Sequence, residues 1–219
     1  MKFSMLAVVA AVALGATSAL AADPTFDARV DGLARNWAHV NYEVRDKSAQ
    51  AAQAAKLAAE ADALAKQYPN RAEPLVWEAI STATQAGATG GMGGLSLAKS
   101  ARGMLERAEK INPAALGDGS VYTSLGSLYA QVPGFPIGFG DAGKARAYLT
   151  KALAANPNGV DPNFFYGDFL MRQGDYAGAE TALQRAVNAP ARPGREVADH
   201  GRKAQAAALL ATAHQKAHG

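Results

Sequence analysis

The chain has 219 residues, with 22 basic and 19 acidic side chains, and it contains no cysteine. The absence of cysteine excludes a disulfide framework, thiolate chemistry and a cysteine-ligated metal. The small net charge gives no indication of nucleic-acid binding, and the alanine-rich composition with little Val and Ile favours helices over strands.

The N-terminus has the pattern of a signal peptide for export. Lys2 precedes an almost wholly apolar stretch, Met5 to Leu14, and small residues then lead to Ala19-Leu20-Ala21. This apolar stretch is well short of the ~20 residues that span a bilayer, and an Ala-x-Ala end is typical of cleavage. We therefore expect a signal peptide over residues 1–21 and one soluble periplasmic domain over residues 22–219, without a lipid anchor because no cysteine is present.

Hydrophobic periodicity and the positions of Pro and Gly predict a series of helices along the rest of the chain. The predicted ranges, in chain order, are 26–47, 49–67, 72–86, 95–111, 120–131, 141–155, 162–173, 176–188 and 195–217. Asp141, Asp161 and Asp175 stand where N-cap residues are expected. The Gly-rich segment 87–94 is expected to form a flexible loop between two helices. The last helix has no partner in sequence, so we expect it to cap the preceding pair.

Several predicted helices share one spacing of apolar residues. Steps of four and three residues before a proline occur in three sets: Ala101, Leu105, Ala108; Ala145, Leu149, Ala152; and Ala179, Leu183, Ala186. Residues with this spacing lie on one helix face, where alanine lets a neighbouring helix approach closely. The helix before each set carries a large residue beside a small one, in the sets Trp77, Ile80, Ser81, Thr84; Tyr122, Leu125, Gly126, Tyr129; and Asn163, Tyr166, Gly167, Leu170.

These sets, together with the turn Gly174-Asp175-Tyr176, resemble tetratricopeptide repeats. The resemblance implies an all-α fold, a right-handed superhelix of about four helical hairpins with a C-terminal capping helix. It also implies that a protein or peptide partner binds the concave surface that the first helix of each hairpin lines.

A narrower resemblance involves the segments 132–141 and 161–169. They are similar to a set of exported proteobacterial repeat proteins, some of which are similar to the T-component of TRAP-type solute transporters. This similarity implies an alternative function, that of a solute-binding accessory protein that holds a small apolar ligand in a closed cavity.

The helical spacing predicts which residues face the concave surface. These are Glu78, Thr82, Gln85, Thr123, Ser127, Gln131, Phe164, Asp168, Met171 and Arg172. The loop 132–140 contributes two further candidates, Phe135 and Phe139. Their rings either anchor a partner or tuck under the loop to fill the space between repeats.

No group of side chains predicts catalysis, a cofactor or a metal site. Asp168 is a single carboxylate and not an acid–base pair. His214 and His218 are one helical turn apart, but they lie at the extreme C-terminus, where fraying is expected. We therefore expect a non-catalytic scaffold whose partner is an envelope protein or peptide, or alternatively a small apolar solute, with no nucleic-acid partner and no stable membrane insertion.

Overall fold

The computed structural model describes residues 24–219, so the predicted signal peptide lies outside the described residues. Within them the secondary structure consists of nine α-helices: α1 Pro24–Tyr42, α2 Lys47–Gln67, α3 Glu73–Thr89, α4 Gly91–Ile111, α5 Ser120–Gln131, α6 Ala142–Ala155, α7 Val160–Gln173, α8 Tyr176–Val187 and α9 Glu196–His218. The predicted all-α superhelix of helical repeats is confirmed. None of these helices is long and apolar enough to cross a membrane.

The two helices of each later hairpin meet at the predicted glycines. A Cβ atom added at Gly126 of α5 would lie 2.6 Å from Cγ of Leu149 in α6, and one added at Gly167 of α7 would lie 2.6 Å from Cγ of Leu183 in α8. Both leucines are fully buried. The glycines therefore let the leucine of the second helix pack directly against the backbone of the first helix.

Two of the three predicted N-caps are confirmed. The Asp141 carboxylate accepts a hydrogen bond from the Lys144 amide at 2.9 Å, and Asp175 accepts one from the Gly178 amide at 2.9 Å. The prediction for Asp161 is wrong, because α7 begins at Val160 and Asp161 lies inside its first turn. The Asp161 side chain instead binds two arginines of the C-terminal region.

The first helix ends earlier than its periodicity indicates. It ends at Tyr42 and not at position 47, and Asp46 starts α2 by accepting a hydrogen bond from the Ala49 amide at 2.7 Å. No glycine or proline marks this break in the sequence. An aspartate cap in a continuous helical pattern is a weaker signal than a residue that cannot join the helix.

The predicted flexible loop at 87–94 is wrong. Helix α3 continues to Thr89 and α4 begins at Gly91, so that Gly90 alone joins them with a left-handed φ of 64°. A Cβ added at Gly94 would lie 2.6 Å from the carbonyl oxygen of Ala86. The glycines thus form a tight corner in which the start of α4 packs against the end of α3.

Helix α9 packs against α8, as a capping helix does, and it also reaches α7 and α1. Ala198 belongs to the same buried apolar cluster as Phe26 and Trp37 of α1. Gly201 faces the ring of Tyr42, which leaves no space for a side chain at position 201. The first and last helices of the described chain therefore meet, and α1, α3, α5, α7 and α9 together surround the concave side.

Candidate partner-binding cavity

A cavity of about 970 Å³ lies on the concave side of the repeats, and we call it the central cavity. Its walls come from the inner faces of α3, α5 and α7, the end of α1, the start of α2, part of α4 and the first half of α9. The corner between α3 and α4 and the loop 132–140 form part of its rim. Its volume is at the upper end of the range of ligand sites in proteins.

The predicted residues of α5 and α7 lie on the wall of the central cavity, with one exception described below. They are Thr123, Ser127, Gln131, Phe164, Asp168 and Arg172. In both helices these positions lie three residues before, one after and five after the glycine that meets the second helix. The structure thus brings these six together, and their role in binding remains a prediction.

The predicted residues of α3 do not line the central cavity. Ala79, Ala83 and Gly87 line it in place of Glu78, Thr82 and Gln85. Relative to Thr82, these three lining residues lie three before, one after and five after, as the lining residues of α5 and α7 do relative to their glycines. Thr82 is therefore the α3 residue equivalent to those glycines. The prediction used Ser81 instead, so its register in α3 is wrong by one residue. The reason is that α3 packs on both α2 and α4 and has buried residues on most sides, so its pattern marks no single inner face.

Glu78 lies on the side of α3 that faces α2 and α4. Burial raises the pKa of its carboxyl group, and the nearby charge of Asp62 in α2 raises it further. Arg107 of α4 has the opposite effect on this pKa. The Thr82 side chain is buried, and its hydroxyl donates to the carbonyl oxygen of Glu78 at 2.8 Å.

Met171 and the two phenylalanines of the loop also lie outside the cavity wall. Met171 is half-buried against the main apolar core. Phe139 packs edge-on against Tyr129 with ring centroids 5.6 Å apart, and the Arg102 guanidinium lies 4.4 Å from its ring centroid. The side chain of Phe135 is 94% exposed. Phe139 therefore fills space under the loop, and Phe135 is the exposed aromatic residue.

This difference predicts unequal effects of two alanine substitutions. Phe139→Ala should lower the free energy of unfolding by about 1–2 kcal/mol, because a half-buried ring and its contacts with Tyr129 and Arg102 are lost. Phe135→Ala should change it by less than about 0.5 kcal/mol, since the ring contacts mainly solvent. Urea unfolding of both variants measures the difference, and equal losses would contradict this assignment.

The charged residues of the cavity wall carry more positive than negative charge. Six charged side chains in the described part of the chain line it, namely Lys47, Arg172, Arg195, Arg202, Asp161 and Asp168. Arg202 donates to Asp161 at 2.8 Å, and Arg172 donates to Asp168 at 3.1 Å. Within each of these two pairs the charges balance, which leaves Lys47 and Arg195.

Lys47 and Arg195 have no carboxylate within 4.0 Å in the described part of the chain, although the Lys47 ammonium group donates to the Gln50 side chain at 3.0 Å. Burial lowers the pKa of Arg195, and the neighbouring charge of Arg192 lowers it further. The more distant carboxylates of Asp161, Asp118 and Asp199 act in the opposite direction and do not outweigh them. The Arg195 guanidinium lies 5.3 Å from the ring centroid of Trp77, whose side chain is 2% exposed. The Trp77 indole N–H and the Arg195 Nε are both buried and have no hydrogen-bond partner among residues 24–219.

Buried donors without acceptors are rare in proteins, because each costs about 1–3 kcal/mol. Trp77 and Arg195 both line the central cavity, and Lys47 lines it as well. We call Trp77 and Arg195 the donor end of the cavity, and Lys47 is a separate cation on its wall. A ligand group that accepts hydrogen bonds or carries negative charge would satisfy the donor end.

Sequence reasoning missed both the donor end and Lys47. Lys47 lies at the start of α2 and Arg195 directly precedes α9, and neither belongs to the inner face of a predicted first helix. Trp77 precedes the position equivalent to the glycine by five residues, and the residues at that place in α5 and α7 do not line the cavity, so the repeat spacing does not predict it there. The unusual feature in the sequence is Lys47 in the first turn of a helix, where the helix dipole disfavours a cation.

Comparison with known proteins identifies the class of this fold. Residues 137–199 match the family model described as tetratricopeptide repeat. The structure is similar to the crystal structure of a thermophilic TPR protein from Thermus thermophilus, with a TM-score of 0.53 and 18% sequence identity, over 84% of this chain and 91% of that chain. At this identity the likeness concerns the fold alone. No curated protein sequence matches the chain.

The two comparisons together support a tetratricopeptide repeat protein, by the family model over residues 137–199 and by the fold over most of the chain. The matched segment covers α6, α7 and α8, in which the Gly167–Leu183 contact joins the two helices of a hairpin. Proteins of this family are generally non-catalytic scaffolds that bind other proteins.

Proposed function

We propose that this protein is an exported periplasmic scaffold that holds a segment of an envelope protein in the central cavity and catalyses no reaction. One observation carries the proposal: the cavity combines aromatic walls with the unsatisfied donors of Trp77 and Arg195 and the cation of Lys47. An apolar wall supplies affinity, and a few placed polar groups fix the orientation of the bound molecule. The periplasmic location rests on the signal-peptide pattern of residues 1–21.

The bound segment should present an acidic side chain or another acceptor to the donor end. The ring of Phe164 is 9% exposed and the ring of Phe165 is half-buried, and both line the wall as well. The partner segment should therefore carry an apolar residue close to its acidic one. Neutralising the two wall cations that have no carboxylate partner, with Lys47→Gln and Arg195→Gln, is expected to weaken binding and to reduce its dependence on salt.

Site-specific photocrosslinking in intact cells tests this proposal. A crosslinking amino acid at Ser127 lies on the cavity wall, and one at the exposed Ser100 of α4 serves as a matched control outside it. We expect Ser127 to capture one envelope protein and Ser100 not to capture it. The capture at Ser127 should be lost when Ala83→Trp fills the cavity, and it should persist with Ala59→Trp on the exposed face of α2. Capture that is indifferent to Ala83→Trp would overturn the proposal.

The second candidate is a solute-binding accessory protein of a TRAP-type transporter, and the contact between α1 and α9 favours it. Because that contact completes the wall around the cavity, a small apolar ligand could be enclosed by Trp37, Phe164 and Leu95. Native mass spectrometry distinguishes the two candidates. A bound mass that is released on denaturation and absent from Ala83→Trp supports the solute, whereas an unmodified mass together with a captured protein supports the scaffold.

A further inference from the structure

The end of α9 brings two histidines against one carboxylate of α8. The His214 Nδ1 atom lies 2.8 Å from Glu180 Oε1, and the His218 Nε2 atom lies 3.0 Å from Glu180 Oε2. The two imidazole rings have centroids 4.6 Å apart. All three side chains offer a ligand atom within 4.8 Å of the others, on a surface that solvent reaches. We propose that Glu180, His214 and His218 form a binding site for Zn²⁺.

The donor set suits this ion. Zn²⁺ binds imidazole nitrogen and carboxylate oxygen at about 2.0–2.2 Å, and tetrahedral ligands then lie roughly 3.3 Å from one another. The distances of 2.8 and 3.0 Å are close to that separation, so small side-chain rotations bring the atoms into position. Three protein ligands leave a fourth position for water or for a group of a partner.

In the structure, hydrogen bonds join the two imidazole rings to Glu180 at the place where a zinc ion would join them. A carboxylate only accepts hydrogen bonds, so each imidazole donates one N–H to Glu180. These two contacts hold both imidazole rings and the Glu180 carboxylate facing one another. A zinc ion replaces these protons, because it binds the nitrogen lone pairs of the neutral rings and an oxygen of the carboxylate.

The described chain contains an internal comparison for this cluster. His39 of α1 also contacts a glutamate, with its Nδ1 atom 2.6 Å from Glu43 Oε2. That pair contains one histidine and one carboxylate on a single helix, so it offers two ligands instead of three. The spacing of His214 and His218 by one turn, with a carboxylate supplied by a second helix, is what distinguishes the α8–α9 cluster.

Isothermal titration calorimetry of the purified protein with ZnCl₂ tests the site. We expect one zinc ion per chain, with affinity reduced at least about tenfold by His214→Ala and by Glu180→Gln, since even groups behind the ligands contribute that much. His39→Ala is the matched control and should bind as the unaltered protein does. MgCl₂ should give no binding, because Mg²⁺ requires oxygen ligands in octahedral geometry.

A second measurement does not depend on heats of binding. Zinc that binds the folded state alone should raise the unfolding temperature of the unaltered protein and of His39→Ala. It should not raise that of the double variant His214→Ala, His218→Ala. These exposed residues lie in the last turns of α9, so circular dichroism should show an unchanged fold. Absence of zinc binding, or equal affinity in the double variant, would overturn the site.

Discussion

Gly126→Leu is expected to lower the free energy of unfolding by about 3 kcal/mol, because the new side chain must displace Leu149 from the position it occupies in the core. An added Cβ already lies 2.6 Å from Leu149 Cγ and 3.1 Å from the Leu149 backbone nitrogen. The backbone contact means that rotation of the leucine side chain cannot relieve the overlap. Gly167→Leu should give a similar loss, since its Cβ meets Leu183 in the same way.

Gly103→Leu is the matched control for these two variants. Gly103 lies in the middle of α4, and a Cβ added there has no neighbouring atom within 4 Å. Removing a glycine from a helix interior is stabilising by about 0.5–1 kcal/mol, so this variant should be as stable as the unaltered protein or more so. Urea denaturation of the three variants measures the effect. Equal midpoints for Gly126→Leu and Gly103→Leu would show that the helix faces are assigned wrongly.

Asp161→Asn is expected to lower the free energy of unfolding by about 2 kcal/mol at neutral pH. Its carboxylate accepts from Arg192 at 2.9 Å and from Arg202 at 2.8 Å, and Arg192 also binds Asp199. Breaking a fully buried ion pair costs about 3–5 kcal/mol, but Asp161 is 25% exposed and water screens part of the loss. Asp168→Asn is the control on the same helix. Its pair with the 47% exposed Arg172 should contribute less than about 1 kcal/mol.

The same residue predicts how stability depends on pH. Burial raises the pKa of Asp161, but the charges of Arg202 and Arg192 and their hydrogen bonds outweigh it and hold the pKa below its ordinary value. The contribution of this carboxylate is therefore complete above the unfolded pKa of about 3.9 and is lost as the pH falls through the lower folded pKa. Urea midpoints measured from pH 6 downwards should fall less steeply below about pH 4 for Asp161→Asn than for the unaltered protein. Parallel curves would contradict this role of Asp161.

Local spacing predicted the second half of the molecule well. In α5 to α8 a single glycine marks the contact face of each first helix, and a leucine between two alanines marks that of the second. Because each hairpin buries these residues against its own partner helix, the relation between sequence and packing stays local. Six of the residues predicted to face the concave surface lie on the cavity wall, and their role in binding stays a prediction.

The first half of the chain was less predictable because its helices pack on more than one side. In α3 the small residues Ala79, Ser81 and Thr82 are all buried, so the sequence did not show which one meets α4. The role of Asp161 was missed for a different reason. Its partners Arg192 and Arg202 lie 31 and 41 residues away, and no local pattern relates them to it.

The apolar cluster that contains both Trp37 and Ala198 joins parts of the chain that are separated by most of the described sequence. In an open array each repeat touches only its neighbours, so evolution can duplicate or delete one without disturbing the others. Here an extra hairpin would part α1 from α9 and break the inner wall. The contact between α1 and α9 thus constrains the number of hairpins, and with it the width of the cavity. Relatives that share this closure should differ in loop length and wall residues, while their count of hairpins stays constant.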